Sequence, residues 1–515
     1  MFDRKRFATL PAAAVLACGA GAQAQITQAA AARFLEQASW GATPTTVAQV
    51  QQMGFSGYID DQFLAPMSPI PDVPPGPNGR EPVGPVQQQF FLNASAGTDQ
   101  LRQRVAFALS QIWVVSAVKL NTADQIVPYF RLLQQDAFEN YSKIIDDVTL
   151  SPSMGHYLDM VNNDKPAAGR EANENYAREL LQLFTIGLNE LNDDGSLQIN
   201  SGQPIPTYGQ NVVQGFARVF TGWTYAPMPG AQLRTHNPPY FAVPMVAVNS
   251  NHDTGSKTLL DGLVLPGGAS RTALLDLTDA LANIFNHHNV APFVSRQLIQ
   301  HLVTSNPSPA YVSRVVAAWR SSGGDMRVVI KAILLDPEAR AGDTGKPVPG
   351  FGHLREPVLL INTLLRELNA TVSANNALAS QGNNMGQNVY YAPSVFNYFS
   401  PGYRYLTHIP NQVQVSINAP EFQIDSTSTA LTRANFANTL IYGTITGVTL
   451  DLTPYLNLTP VQLLDTLNQE LMHGTLSAQA QTVILNAVHA QTTPKAKVQA
   501  AIYLIASSSQ YQVER

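Results

Sequence analysis

Apolar residues recur along this chain at the spacing of a helix face. Leu101, Val105, Ala108, Leu109 and Ile112 fall at i, i+4, i+7, i+8 and i+11, and Thr98 with Asp99 supplies a start signal. Thr43–Pro44 reads as an N-cap followed by proline at the first helical position, opening a helix that Gly54 closes. The same period predicts helices over about 121–138, 152–163, 172–188, 208–222, 271–286, 291–304, 308–321, 352–369, 459–472, 476–490 and 495–508. The predicted fold class is mainly α: a large multi-helix globular body. Its helical core spans 26–440, and a C-terminal helical segment over 441–515 packs on that core.

Three stretches interrupt the pattern. Eight prolines between Pro66 and Pro85 make 65–86 an extended surface segment. Residues 224–268 place Pro and Gly clusters around short alternating runs (Tyr240 to Val248), which predicts a small β-hairpin insertion. Residues 371–400 form a long loop rich in Asn, Ser and Gly. Loops of this length inside a helical body are more often functional than idle.

Charge changes the picture in one respect. Only 13% of the 515 residues are charged, against about 25% in typical soluble domains, so neutral polar side chains cover much of the surface. A net charge of −5 offers no basic footprint for phosphate backbones, and nucleic acid is excluded as an expected partner.

The first residues read as a leader. Arg4, Lys5 and Arg6 form a positive region, Phe7 to Ala17 an apolar one, and Ala22-Gln23-Ala24 a cleavage pattern that leaves Gln25 as the new N-terminus. A signal peptide over 1–24 predicts export, to a periplasmic or extracellular location. The alternative is a lipoprotein leader over 1–17: Val15-Leu16-Ala17-Cys18-Gly19 resembles a lipobox, with a lipid anchor at Cys18 and a membrane-anchored product. Cys18 is the only cysteine, so the mature body has no disulfide. No later stretch reaches ~18 uninterrupted apolar residues, so no transmembrane segment is expected.

Two polar clusters could carry chemistry. On the 172–188 pattern, Tyr176, Ala177, Leu180, Leu181, Leu183 and Phe184 share one helix face, and Glu174, Asn175, Arg178, Glu179 and Gln182 the other. The plain reading is an amphipathic helix with a solvated charged side. The sharper one is a cleft in which Arg178 keeps one glutamate ionised while the other shifts its pKa, with Asn173 and Tyr176 helping to bind. The second cluster is His252-Asp253-Thr254-Gly255-Ser256-Lys257, an imidazole, a carboxylate and an ammonium within six loop residues. Its plain reading is an Asx-type turn with Gly255 at positive φ. The candidates are therefore Glu174, Glu179, His252 and Asp253 for acid–base work, and Arg178, Lys257, Asn173 and Tyr176 for binding.

Other motifs are weaker. Adjacent His287 and His288 would point ~100° apart on a helix and not chelate one ion, and there is no HExxH, so no metal is predicted. Asn192-Asp193-Asp194-Gly195-Ser196 resembles a calcium loop, but Glu190 stands at its first position and Ser201 where the bidentate glutamate belongs. Ser116-Ala117-Val118-Lys119 matches a four-residue pattern of penicillin-recognising enzymes with no Lys-Thr-Gly after it. Nucleophile elbow, Walker loop and dinucleotide fingerprint are lacking, and no cofactor is expected.

The run from Asn173 to Gly187, NENYARELLQLFTIG, resembles the signature of the bacterial "domain of unknown function 1800" family. Further similar blocks follow the family's order: Arg33-Phe34-Leu35 to Trp40-Gly41, Leu101 to Phe107, Arg218 to Trp223, His252 to Gly255, Arg355-Glu356-Pro357, Ala392 to Asn397, and Tyr503 to Val513. The resemblance implies secretion, a largely helical body and a neighbouring exported partner with a sulfatase- or phosphatase-like fold. It implies no activity and carries over no catalytic residue. Two functions are expected: an envelope or extracellular binding and assembly protein, from the lack of a recognised catalytic motif and the low-charge surface, or a hydrolase or lyase acting on an extracellular polymer, with Glu174 or Glu179 and His252 or Asp253 as acid and base.

Overall fold

In the computed structural model of the chain, a polar residue followed by proline opens helix after helix. Thr43–Pro44, Ser308–Pro309, Asp336–Pro337, Thr459–Pro460 and Thr493–Pro494 all do so, each with the polar side chain accepting a backbone N–H of the first turn. Proline costs nothing there because its missing N–H would have no helical partner, and its φ is already helical. The structure describes residues 25–77, 79–344, 350–407 and 415–515. The leader over 1–24, with Cys18, lies outside the described residues.

The fold is mainly α, with only short two-stranded antiparallel sheets. The helix Gln100–Ile112 runs through the core, and its predicted stripe from Leu101 to Ile112 is buried. It packs against Ala123–Asp136, Pro44–Leu64 and Val290–Leu302. The helix Val290–Leu302 packs in turn on Pro309–Ser322, and that on Met326–Leu335. At the other end, Pro494–Ala506 lies against Thr427–Tyr442, Pro460–Met472 and Ala478–His489. None of the described helices is long and apolar enough to cross a membrane.

Several elements depart from the periodic reading. Gly54 kinks its helix (φ 76°, ψ 163°) rather than closing it, and the helix resumes to Leu64. The 152–163 pattern is helical only over Pro152–Tyr157, before Asp159 and Asn162 turn the chain at positive φ. Among the longer helices outside the predicted periodic set are Gln28–Ala38, Gly84–Ala96, Tyr141–Leu150, Met326–Leu335 and Thr427–Tyr442, and the stretch 371–400 expected as a loop contains the short helix Leu378–Asn384. In the predicted hairpin region, Val246–Ala247 pairs with Trp223–Thr224 across a long loop, and the tight hairpin is Lys257–Thr258 with Val264–Leu265. Pro244 lacks the N–H that a ladder through 240–248 needs, and Pro238 and Pro239 stand directly before that run.

A frame of buried charges joins distant parts of the chain. The Arg355 guanidinium donates to Glu36 and to the carbonyl of Tyr511, and lies 4.5 Å from the centre of the Tyr511 ring. His473 stands 3.0 Å from Glu36, and the Tyr511 hydroxyl donates to Glu367 (2.8 Å). Burial opposes ionisation of Glu36, but Arg355 and His473 outweigh it and hold the carboxyl well below its usual range. Nearby, the strand pair His353–Leu354 with Val513–Glu514 sets the His353 ring between Glu421 (3.4 Å) and Glu514 (3.5 Å).

Burial disfavours charge on His353, yet Glu514 and Glu421 overcome it and raise the ring to about 10. The folded value lies above the unfolded one of ~6.5, so this contribution is complete below about pH 6.5 and is lost as pH rises through about 10. Urea titrations of the wild type at pH 7 and pH 10 should show that loss. His353→Gln, which leaves two buried carboxylates without their cation, should be less stable at neutral pH by about 3–5 kcal/mol and lack this part of the pH dependence. Equal pH profiles for the two proteins would show that the ring is not charged in the fold.

Candidate functional site

The two predicted clusters fold into separate networks. In the first, the Asn173 side-chain oxygen accepts the N–H of Asn175 (2.8 Å) and starts the helix Asn175–Glu179. Glu174 pairs with Arg178 (2.6 Å) and accepts two contacts from Gln210 (2.9 and 2.8 Å), with both charged groups partly in solvent. Tyr176 is buried, its hydroxyl 2.7 Å from Thr149 and its ring edge-on to Phe220. Glu179 does not share the solvated side with Glu174: it is buried, and its Oε2 has no hydrogen-bond partner. Burial raises its pKa, and Arg178 offsets only part of that. Tyr157 and Tyr208 lie close enough to feel its charge.

In the second cluster, the imidazole, the carboxylate and the ammonium are already engaged. His252 has Nδ1 2.9 Å from the Thr221 carbonyl and Nε2 3.1 Å from Asp276, with no exposed side-chain surface. The Lys257 ammonium, equally buried, donates to Asp276 (2.6 Å) and to the carbonyls of Asp253 and Gly255. Asp253 forms a two-pronged pair with Arg218 (2.6 and 3.0 Å) and accepts the N–H of Gly255 (2.7 Å). The Asx turn thus forms, but Gly255 is not among the positive-φ glycines. It is needed for space, because a Cβ there would run into the Arg218 guanidinium.

Glu174 is tied to the start of the helix Gln210–Val219 by Gln210, and Asp253 to its far end by Arg218. Eight residues of helix separate those anchors by about 12 Å. Among the described residues, no hydrogen bond or ion pair links the Glu174–Arg178–Glu179 group to the His252–Asp253–Lys257 group.

A cleft opens instead where the 172–188 segment ends. After Glu179 the chain widens into a π-helical turn, Leu180–Thr185, in which Thr185 Oγ1 donates to the Leu180 carbonyl (2.5 Å) and Ile186 N–H reaches Leu181 (3.1 Å). Such turns are rare and frequent at functional sites. Gln182 and Leu183 on this turn, with Leu188 and Leu191 just beyond, form one wall of a cavity of about 410 Å³. Phe293, Arg296, Gln297 and Gln300 of the helix Val290–Leu302 form the second wall, and Phe396 and Pro401 of a loop the third. Gln111 closes the floor, donating to Glu356 (2.9 Å) and accepting from Asn397 (2.9 Å).

Gln111 and Gln300 are engaged, Gln300 donating to the carbonyls of Ser305 (3.1 Å) and Pro401 (3.3 Å), but two neighbours of Gln300 on the same helix wall are short of partners. Gln297 is buried and its Nε2 has none. Arg296 makes one long contact to the Gly195 carbonyl (3.4 Å), and no carboxylate pairs with it among the described residues. Burial, and then Arg404, push its pKa down, so an arriving anion or carbonyl would stabilise it. At the rim, Leu188, Leu197 and Phe396 are each about half exposed. The sequence reading did not reach Arg296, Gln297 and Gln300. Their signal is a second stripe, Phe293-Arg296-Gln297-Gln300 at i, i+3, i+4 and i+7, on a helix whose other side is core.

His287 and His288 also differ from expectation. They sit in the turn between the helices Ala273–Phe285 and Val290–Leu302, not on a helix. Their rings stack, with centres 4.6 Å apart and planes 22° apart.

These features define a mainly α protein with a loop-walled cleft of amide, arginine and aromatic groups. The chain belongs to the family described as a protein of unknown function (DUF1800), whose model matches residues 33–513. Searches of curated proteins and of solved structures returned no match.

Gly187 sets the shape of the cleft wall. Its φ is 75°, and a Cβ would lie 2.7 Å from the Phe293 ring. Gly187→Ala should therefore cost about 1–3 kcal/mol, read as a lower urea midpoint. An unchanged midpoint would mean that Gly187 does not approach Phe293 in this way.

Proposed function

We propose that this is an exported binding and assembly protein that holds an acceptor-rich segment of a partner in the cleft. One observation carries the reading: Arg296, held by a single long contact to a carbonyl and by no carboxylate among the described residues, and Gln297, whose Nε2 has no partner, line a cavity whose rim exposes Leu188, Leu197 and Phe396. That combination suits a ligand with carboxylate or carbonyl groups beside an apolar side chain. Export rests on the leader at 1–24, with Cys18 lipidation as its alternative. The partner class, an exported protein of sulfatase- or phosphatase-like fold, rests on the family resemblance.

Arg296→Gln and Phe396→Ser should each weaken binding of that partner about tenfold, or about 1.4 kcal/mol, in a titration of the two purified proteins. Affinity unchanged in both variants would remove the cleft from the interface.

A second reading keeps the hydrolase or lyase. The Glu179 carboxyl is buried, lacks a partner on Oε2 and has a raised pKa beside Tyr157 and Tyr208, which are properties of a general acid. Ionisation of a group whose folded pKa is raised costs stability as pH rises. Glu179→Gln should therefore be more stable than wild type at neutral pH. Under this reading it also loses turnover of envelope polysaccharides. Turnover retained by a folded Glu179→Gln variant would end the reading.

A further inference from the structure

We propose that Glu190, His287 and His288 form a binding site for a divalent transition-metal ion, with Asp261 as an exchangeable fourth ligand. The donor atoms of the first three lie within 4.8 Å of one another. His288 Nε2 is 2.7 Å from Glu190 Oε2, and His287 Nε2 is 3.9 Å from both Glu190 Oε1 and Asp261 Oδ1. Bonds of ~2.0–2.2 Å in tetrahedral array set ligand atoms ~3.3–3.6 Å apart. The observed separations bracket that value, so small side-chain rotations suffice.

The independent observation is His287 itself. Its side chain has no exposed surface, and its Nε2, aimed between the two carboxylates, has no hydrogen-bond partner. The stacking of His287 on His288 turns both Nε2 atoms toward the same carboxylate. Asp261 is carried to the site by left-handed backbone at φ 56°, followed by Gly262 at φ 71°. That is an uncommon conformation for a non-glycine residue. Because Asp261 is largely exposed, its position is open to exchange with water.

Two imidazoles and a carboxylate select zinc, nickel or copper over calcium or magnesium, which prefer all-oxygen sets. Imidazole and carboxylate ligate a metal only when deprotonated, so affinity falls as pH falls. Loading the site also places the remaining ring proton of His287 on Nδ1, where the Asn289 N–H now sits at 3.2 Å, so the ring must turn away from that amide. Asn289 meanwhile holds the cleft wall: its side chain bonds the carbonyls of Ile186 (2.9 Å) and Asn189 (2.8 Å) and the N–H of Leu191 (2.9 Å). An ion here would brace the 186–191 loop from behind. The metal assignment does not depend on what the cleft binds.

The test uses the chelator-treated full chain and metal alone. Zinc is titrated by calorimetry, and cobalt by the visible absorption that distinguishes a tetrahedral from an octahedral ion. The expected result is one equivalent bound, with a rise in melting temperature. His288→Ala and Glu190→Gln should each weaken binding by about 100-fold or more, and His236→Ala, at an unrelated histidine, should leave it unchanged. Melting curves confirm that each variant is folded, and Glu190→Gln stands alone if His288→Ala is not. No binding by the wild type would overturn the proposal. So would binding that survives the Glu190 and His288 substitutions, which would assign the ion to the buried Glu36, Glu367 and His473 group instead.

Discussion

A guanidinium group cut off from water has to receive its anion and its acceptors from the protein. Arg355 draws them from parts of the chain that are far apart in sequence: the carboxylate from Glu36 and a carbonyl and ring face from Tyr511. Its own carbonyl accepts from Arg433 (2.7 Å). Removing one partner from such a group leaves an unpaired buried charge, which is far costlier than losing a surface pair. The positions of the helix Gln28–Ala38, the helix Pro357–Glu367 and the segment around Tyr511 are therefore coupled through one side chain. Glu356, the next residue, points the other way, accepting from Gln111 and Gln387 and so fixing the floor of the cleft. Frame and cleft are built on adjacent residues.

Seen this way, the blocks shared with the family do different jobs. Arg104, stacked over Trp40 at 5.3 Å, and Arg355 support the core, while Arg218 clasps Asp253 in the loop cluster. His252 and Lys257 are spent on Asp276. By contrast, Gln182, Gly187 and Phe396 belong to blocks that end at the cleft. A charged residue inside a motif is thus no guide to chemistry in this fold. The useful distinction is whether its polar atoms are already satisfied, and Gln297, Glu179 and His287 are among the described residues where one is not.

Much of the helical fold is legible in the sequence because its helices carry an apolar stripe beside polar positions, as 100–112 and 460–472 do. Met326–Leu335 escapes because Val-Val-Ile-Lys-Ala-Ile-Leu-Leu suits a buried strand as well as a helix. Thr427–Tyr442 escapes for another reason: its buried stripe begins with Arg433, and Thr, Asn and Ala dilute the contrast around it. The cleft was only half legible. Its helix wall follows the helical period, but the 187–191 and 395–402 loops that complete it arrive from elsewhere in the chain. The burial of Glu179 follows from tertiary contacts, and the stacking of His287 on His288 from a helix that stops at Phe285. Neither is written in local spacing.

The span of the Arg355 contacts has a consequence for assembly. Its partners lie 319 and 156 residues away, and closures of that length form late, because the chain must lose loop entropy before any contact repays it. Until then Glu36 and Arg355 stay hydrated, so their pairing stabilises the finished fold and contributes little to what precedes it.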